Sequence, residues 1–155
     1  MKKVAVVIDF HVKSLELNDS VDLYSIDRFQ NVVTAVHQNG RLLEEGEDAH
    51  IQDFIQSLQG RYEEVFYLLQ THDTINVADF QWKEKLNRER KEGAGKVFMY
   101  PIHYIRQRKE DVVNFVLKMY EAGHGGKTIL ARIDRILIEP IFSVQHYINR
   151  LILNI

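Results

Sequence analysis

Short, unbroken apolar runs alternate with amphipathic stretches along this chain. The first run, Val4 to Ile8, ends at Asp9 and is typical of a strand buried on both faces of a sheet. Similar runs at 65–69 and 96–100 predict two more buried strands, the last of them ended by Pro101. Strands that alternate with helices predict a parallel arrangement, so we expect these three runs to be parallel neighbours.

The region between the first two runs predicts additional strands. Two β-rich segments, 21–26 and 31–36, are separated by four residues and predict an antiparallel hairpin. Asn39-Gly40 is expected to end this hairpin, because both residues tolerate positive φ. Residues 12–17 also have strand character, since Leu15 and Leu17 alternate with Glu16.

Amphipathic periodicity predicts three helices in the first 126 residues, at about 44–60, 75–92 and 110–123. The first has an apolar stripe and two acids at its start, which suit the positive end of the helix dipole. These residues are Ile51, Phe54, Ile55 and Leu58 in the stripe, with Glu47 and Asp48 at the start. The chain is therefore predicted to be an α/β (α+β) protein with a mixed sheet, in which an N-terminal antiparallel hairpin precedes strand-helix repeats.

Residues 127–155 differ from the α/β domain predicted for 1–126. Their apolar residues recur at three- and four-residue steps, close to a coiled-coil seam, and Pro140 should split them into two helices. The seam consists of Leu130, Ile133, Leu137, Ile141, Val144, Ile148, Leu151 and Ile155. Such an apolar helical extension either packs on its own domain or docks a protein partner or a second subunit.

Composition narrows the functional classes. The chain has 155 residues, of which 45% are hydrophobic and 27% charged, so it can bury a single core. A formal net charge of −2 does not favour nucleic acid, although it leaves that partner open. The absence of cysteine removes disulfides and thiolate chemistry, and fits the cytoplasm. Asp9 and His11 interrupt the N-terminal run too early for a signal peptide, and no apolar run is long enough for a membrane span.

Polar residues follow all three predicted buried strands. If those strands are parallel neighbours, their carboxyl ends share one edge of the sheet, where α/β proteins commonly bind ligands. The candidate ligand-binding residues are Asp9, His11, His72, Asp73, His103 and Tyr104. Imidazole and carboxylate groups together could hold a divalent metal, with Asp9 and Asp73 as candidate ligands. The alternative is that turns are simply rich in polar residues, with no common site.

Two further signals have simpler explanations. The segment 123–128, Gly-His-Gly-Gly-Lys-Thr, resembles the end of a phosphate-binding loop, but Glu121 stands where the first glycine of that loop is needed. Glycines that end a helix explain this segment better. Basic residues gather at 88–91 and 106–109 and could contact phosphates, but nearby acids indicate solvated helix faces.

The predicted element order over residues 3–122 resembles the ribonuclease H-like architecture. The resemblance implies one aspartate on the first strand, an acid on the first helix and another aspartate at the end of the fourth strand. Asp9 and Asp73 match the two aspartates, and Glu47 or Asp48 would supply the helix acid. The opening strand and hairpin are also similar to nitrogenase-cofactor accessory proteins and release-factor-like middle domains, whose sequence signatures are absent here.

Two functional hypotheses follow. The first is a small cytoplasmic accessory or binding domain, with a ligand or partner crevice at the strand ends and an apolar tail for docking or oligomerisation. The second is a metal-dependent phosphodiesterase or nuclease, in which Asp9 and Asp73 hold a divalent metal and His72 or His103 moves protons. The lack of a well-placed third acid favours the first hypothesis, and enzymatic activity is left open.

Overall fold

The structure is a computed structural model that describes residues 4–29, 32–71, 97–103 and 108–133. Within them the chain forms six strands and three helices. The strands are β1 (Val4–Ile8), β2 (Val21–Phe29), β3 (Val32–Gln38), β4 (Arg41–His50), β5 (Glu64–Thr71) and β6 (Val97–His103). The helices are α1 (Ile51–Gln59), α2 (Lys109–Glu121) and α3 (126–133).

One mixed sheet contains all six strands, in the order β4-β3-β2-β1-β5-β6. The prediction that β1, β5 and β6 are parallel neighbours is confirmed, since β1 pairs in parallel with β5 and β5 with β6. The predicted antiparallel hairpin is confirmed as the pair β2 and β3. Its first strand is also parallel to β1, so four parallel strands direct their carboxyl ends to one border.

Helices cover both faces of the sheet, and each strand divides its side chains between two cores. Ile51, Ile55 and Leu58 of α1 are buried together with alternate residues of β1, β2, β5 and β6. The other residues of these strands pack against α2 and α3. Because the central strands are covered on both sides, they need continuous apolar runs, which explains why those runs were so clear in the sequence.

The predicted start of the first helix is wrong. Residues 44–50 belong to β4, and α1 begins only at Ile51. Glu47 and Asp48 therefore lie on strand β4 rather than at a helix N-terminus. Pairing with β3 satisfies the backbone of this segment and overrides its local preference for a helix, as tertiary contacts commonly do.

Asn39-Gly40 ends the β2–β3 hairpin, as predicted, and also forms the turn of a second hairpin between β3 and β4. Both residues have positive φ, 50° and 86°, which is the requirement of a tight turn between antiparallel strands. Asn39 also binds the neighbouring strand twice. Its backbone N–H donates to Leu23 O at 2.7 Å, and its side-chain oxygen accepts from Leu23 N at 2.8 Å.

The predicted strand at 12–17 is also wrong, because this segment is the crossover between two parallel strands. Its backbone bonds to a side chain of α2 instead of a neighbouring strand. The Asn114 amide accepts from Glu16 N at 3.1 Å and donates to Ser14 O at 3.1 Å. An alternating sequence alone cannot distinguish these two solutions, because it carries no information about the partner to which the backbone bonds.

Strand β6 continues beyond the predicted stop at Pro101, as far as His103. Pro101 pairs with Leu69 of β5, and β6 is the last of the described strands in the sheet order. Proline removes one N–H donor from the strand, but the pairs of β5 and β6 continue on both sides of Pro101.

The start of the C-terminal segment packs on its own domain. Ile129 and Ile133 of α3 are fully buried in the core that α2 forms with the sheet. The predicted helix at 75–92 and the rest of the C-terminal seam, from residue 134, lie outside the described residues. None of the helices described is long and apolar enough to cross a membrane.

Candidate functional site

The candidate site lies at the border where the four parallel strands end. The last paired residue of β1 is Ile8, opposite Ser25, so β2 extends four residues further beside the chain segment that begins at Asp9. At the other side, Thr71 of β5 is paired with His103 of β6. The described ends of β1, β2, β5 and β6 therefore share one edge. The sequence predicted this for β1, β5 and β6.

A buried ion pair stands at the centre of this edge. The side chain of Asp9 is only 1% exposed, and its Oδ2 accepts from Arg28 Nε at 2.8 Å and from the Tyr67 hydroxyl at 3.0 Å. Arg28 is 18% exposed and reaches Asp9 from the end of β2. A carboxylate this deeply buried is costly unless it is paired, and these two donors supply the compensation.

His11 and Asp27 form a second, exposed pair on the same two chain segments. His11 Nε2 lies 2.8 Å from Asp27 Oδ1, and the two side chains are 78% and 41% exposed. The two pairs use consecutive residues of β2, Asp27 and Arg28, at a point where the register with β3 shifts. Together they join the end of β1 to the end of β2.

The wall of this edge on the α2 side contains a cation and an aromatic ring. Phe10 is buried in the core, and Lys109 Nζ lies 5.6 Å from the centre of its ring. Lys109 begins α2, which follows β6 and therefore starts near the same edge. A cation over an aromatic face is weakly attractive, so Lys109 is drawn toward the ends of the strands.

The sequence-predicted site residues are only partly placed by the structure. Asp9 and His11 lie on the predicted edge, and His103 is the last residue of β6. His72, Asp73 and Tyr104 lie outside the described residues, so their membership of the site stays a prediction.

The described residues hold no group of three or more acids and histidines that could bind a metal. Asp9, the one metal-ligand candidate within them, is bound to Arg28 and Tyr67. A metal at Asp9 would compete with a guanidinium for the same carboxylate. Whether Asp73 approaches this carboxylate is a question outside the described part of the chain.

Sequence reasoning missed Arg28 and Tyr67. Arg28 falls in the segment assigned to the hairpin connection, and Tyr67 lies in a strand that was assigned to the core. A buried aspartate after a central strand indicates that a hydrogen-bond donor or a cation must lie near it, because an unpaired buried carboxylate is costly. That signal does not select one donor from the 20 lysines and arginines of the chain, because the choice depends on strand register.

A second polar cluster, also missed, lies toward the opposite border of the sheet. Asp22 is 8% exposed, and its Oδ2 accepts from the Tyr62 hydroxyl at 2.6 Å. Because Tyr62 gives its only proton to Asp22, the Tyr24 hydroxyl must donate to Tyr62, also at 2.6 Å. Asn39 Nδ2 adds a longer contact to Asp22 Oδ1 at 3.4 Å. Burial and the hydrogen bond to Asp22 raise the pKa of Tyr62 well above its ordinary range, so the phenol stays protonated.

The glycine-rich segment before α3 is a packing device. The backbone N–H of Gly126 donates to Glu64 Oε2 at 3.0 Å, so a carboxylate of this chain occupies the place where a phosphate would bind. A Cβ on Gly126 would lie 2.4 Å from the Phe98 ring, which explains the need for glycine there. This geometry agrees with the prediction that segment 123–128 has a structural role and is not a phosphate-binding loop.

An open groove of about 520 Å³ lies between the β1–β2 crossover and the end of α2. It is lined by Glu16, Leu17, Asn18, Lys118, Glu121 and Ala122. Asn18 donates to Leu117 O at 3.1 Å at its base, and Lys118 lies 3.6 Å from Glu16 across it. Lys118 and Glu16 are both largely exposed, so solvent screens the ion pair and it adds little electrostatic energy to this groove.

Comparison with known proteins adds no family assignment. No family model, curated protein or solved structure matches this chain. The functional argument therefore depends on the residues of the chain itself.

Proposed function

We propose that this protein is a small cytoplasmic accessory or binding domain that takes a ligand or partner at the carboxyl ends of its parallel strands. The observation that carries the proposal is the buried Asp9 carboxylate, which Arg28 and Tyr67 orient at the centre of that edge. The C-terminal segment 127–155 is proposed to serve in docking or oligomerisation, and the absence of cysteine supports the cytoplasmic assignment.

The energetics of the ion pair support a binding role. A buried ion pair is often no more stabilising than apolar residues of the same volume, so its presence at this edge calls for another reason. Orientation of the strand ends is such a reason, because Asp9 and Arg28 join the β1 and β2 tips in one arrangement. A crevice held in one conformation binds with a smaller loss of entropy than a mobile one.

A metal-dependent phosphodiesterase of ribonuclease H-like type is the less supported alternative. The position of Asp9 after the central strand fits it, but the proposed helix acids, Glu47 and Asp48, lie on β4. Asp9 would also have to leave Arg28 before it could bind a metal. Mn²⁺-dependent cleavage of an oligonucleotide that is lost in Asp9→Asn would favour this alternative and contradict a purely binding role.

The proposed crevice can be tested without knowing its natural ligand. Small fragments concentrate in true binding sites, so a library of soluble fragments should be screened by two-dimensional NMR of the ¹⁵N-labelled full chain. We expect the shifted amides to cluster at 9–11, 27–28 and 108–109. Fragments that bind only elsewhere, such as the groove beside residues 16–18, or fragments that bind nowhere, would contradict the proposal.

A matched pair of histidine variants controls for indirect effects. His11 is exposed at the proposed crevice, whereas His124 lies in the connection between α2 and α3, away from the strand ends. His11→Ala should weaken the fragments that shift residues 9–11 and leave the fold intact. His124→Ala should leave them unchanged, and equal effects of both variants would point to a nonspecific cause.

A further inference from the structure

Glu64 contacts the first turn of α3 at two successive glycines. Its Oε2 accepts from Gly126 N at 3.0 Å, and its Oε1 would lie 3.4 Å from a Cβ placed on Gly125. Glu64 begins β5 at the border opposite the proposed crevice. A carboxylate at this position stabilises a helix start, because it accepts an otherwise unpaired N–H and faces the positive end of the helix dipole.

The same turn of α3 is pressed against aromatic side chains. Gly126 is in contact with Phe98, whose ring is stacked with Phe66 at a centroid distance of 6.1 Å. Tyr120 of α2 meets Phe66 edge to face at 6.2 Å. The first turn of α3 therefore has little freedom to shift on this surface while it remains attached, since any displacement must separate Gly126 from Phe98.

The Tyr120 hydroxyl makes the neighbourhood of Glu64 electrostatically sensitive. Its oxygen is buried, and the Glu64 carboxylate lies close to it. Burial, followed by the negative charge of Glu64 and a hydrogen-bonding interaction with it, raises the pKa of Tyr120 far above its ordinary range. Glu64 thus acts on both helices, through a hydrogen bond to α3 and through its charge on α2.

The contacts of Gly126 with Glu64 and Phe98 hold the start of the C-terminal segment against its own domain. We propose that Glu64 is a latch that holds α3 on the sheet in cis, and that its loss makes the local opening of α3 easier while the sheet stays folded. Ile129 and Ile133, which α3 buries in the core, would then become exposed in the open state. This inference is independent of the proposed crevice, because Glu64 lies at the other end of β5.

The test is hydrogen–deuterium exchange of the full chain, followed by mass spectrometry. Loss of a helix cap should raise exchange in residues 126–133 of Glu64→Ala roughly five- to tenfold, because the local opening becomes easier. Peptides from β1 and β5 should exchange as in the unmodified protein. Unchanged exchange in α3, or an equal rise in α3 and the sheet, would overturn the latch.

Two further variants complete the test. Glu63 is exposed and adjacent, so Glu63→Ala should leave exchange in α3 unchanged, and a rise equal to that of Glu64→Ala would overturn the assignment to Glu64. Glu64→Gln keeps an oxygen acceptor for Gly126 but removes the charge, and should give a smaller rise. If Glu64→Ala does not fold, Glu64→Gln is measured against the same criterion, and unchanged α3 exchange overturns the proposal.

Discussion

Two buried aspartates, one toward each border of the sheet, are stabilised in different ways. Asp9, at the carboxyl ends of the strands, is bound by a guanidinium and a phenol. Asp22, at the second residue of β2, is bound by a phenol at 2.6 Å and more loosely by an amide. The first cluster joins two strand tips beside solvent, whereas the second fastens the β3–β4 turn to the interior.

This difference separates a candidate site from a structural cluster. In the Asp22 cluster, Asn39 also holds Leu23 and Tyr62 also accepts from Tyr24, so this cluster fastens a turn. The Asp9 cluster lies next to the exposed His11–Asp27 pair and the start of α2, where a ligand could approach. Substitutions in the two clusters should therefore differ in size and in pH dependence.

The largest effect is expected from Arg28→Met. It removes the guanidinium that pairs with the Asp9 carboxylate, whose side chain is 1% exposed. Breaking a buried ion pair in this way should lower the free energy of unfolding by about 3–5 kcal/mol, measured by urea denaturation. Arg41→Met, on the exposed start of β4, serves as the control and should be close to neutral. Equal stabilities of the two variants would show that the Asp9–Arg28 pair adds nothing to the stability beyond an exposed arginine.

A smaller effect is expected from Tyr62→Phe. The change removes the donor to Asp22 Oδ2 and the acceptor for Tyr24 while it keeps the ring. Loss of a hydrogen bond to a charged group should cost about 1–3 kcal/mol of unfolding free energy at neutral pH. A loss as large as that of Arg28→Met would show that both clusters depend on charge to the same extent.

Alkaline pH should act on the Asp22 cluster in a predictable direction. The pKa of Tyr62 is raised in the folded state, while in the unfolded chain it is about 10. The folded state therefore holds its proton more tightly, and stability is complete below about pH 10 and falls as pH rises further. Tyr62→Phe should reduce this fall without abolishing it, since the pKa of Tyr120 is raised as well. The loss of unfolding free energy between about pH 9 and pH 11 can be measured by denaturation of both proteins. An identical loss in the two proteins would contradict the assignment to Tyr62.

The smallest effect is expected from His11→Ala. Its partner Asp27 is 41% exposed and His11 itself 78%, so solvent screens the pair. The change in unfolding free energy should stay below about 0.5 kcal/mol. A loss comparable to that of Tyr62→Phe would mean that His11 is part of the buried network around Asp9.

Local sequence determined the buried strands and the faces of the helices. Runs such as Val4 to Ile8 predict strands covered on both sides, and the 3.6-residue stripe of Ile51, Ile55 and Leu58 predicts the buried face of α1. Both signals are strong because burial acts on every residue of the element. The position of Asp9 after a central strand was also enough to predict its place at the edge.

Tertiary structure decided which side chains meet there. Arg28 reaches Asp9 only because β2 is parallel to β1 and extends four residues beyond it. Pairing with β3 placed residues 44–50 in a strand, and hydrogen bonds to Asn114 accompany the crossover at 12–17. Local periodicity carries information about burial, whereas partner choice depends on register between segments that are distant along the chain. For this protein the sequence alone therefore located the edge of the sheet, and only the folded sheet selected the partners of Asp9.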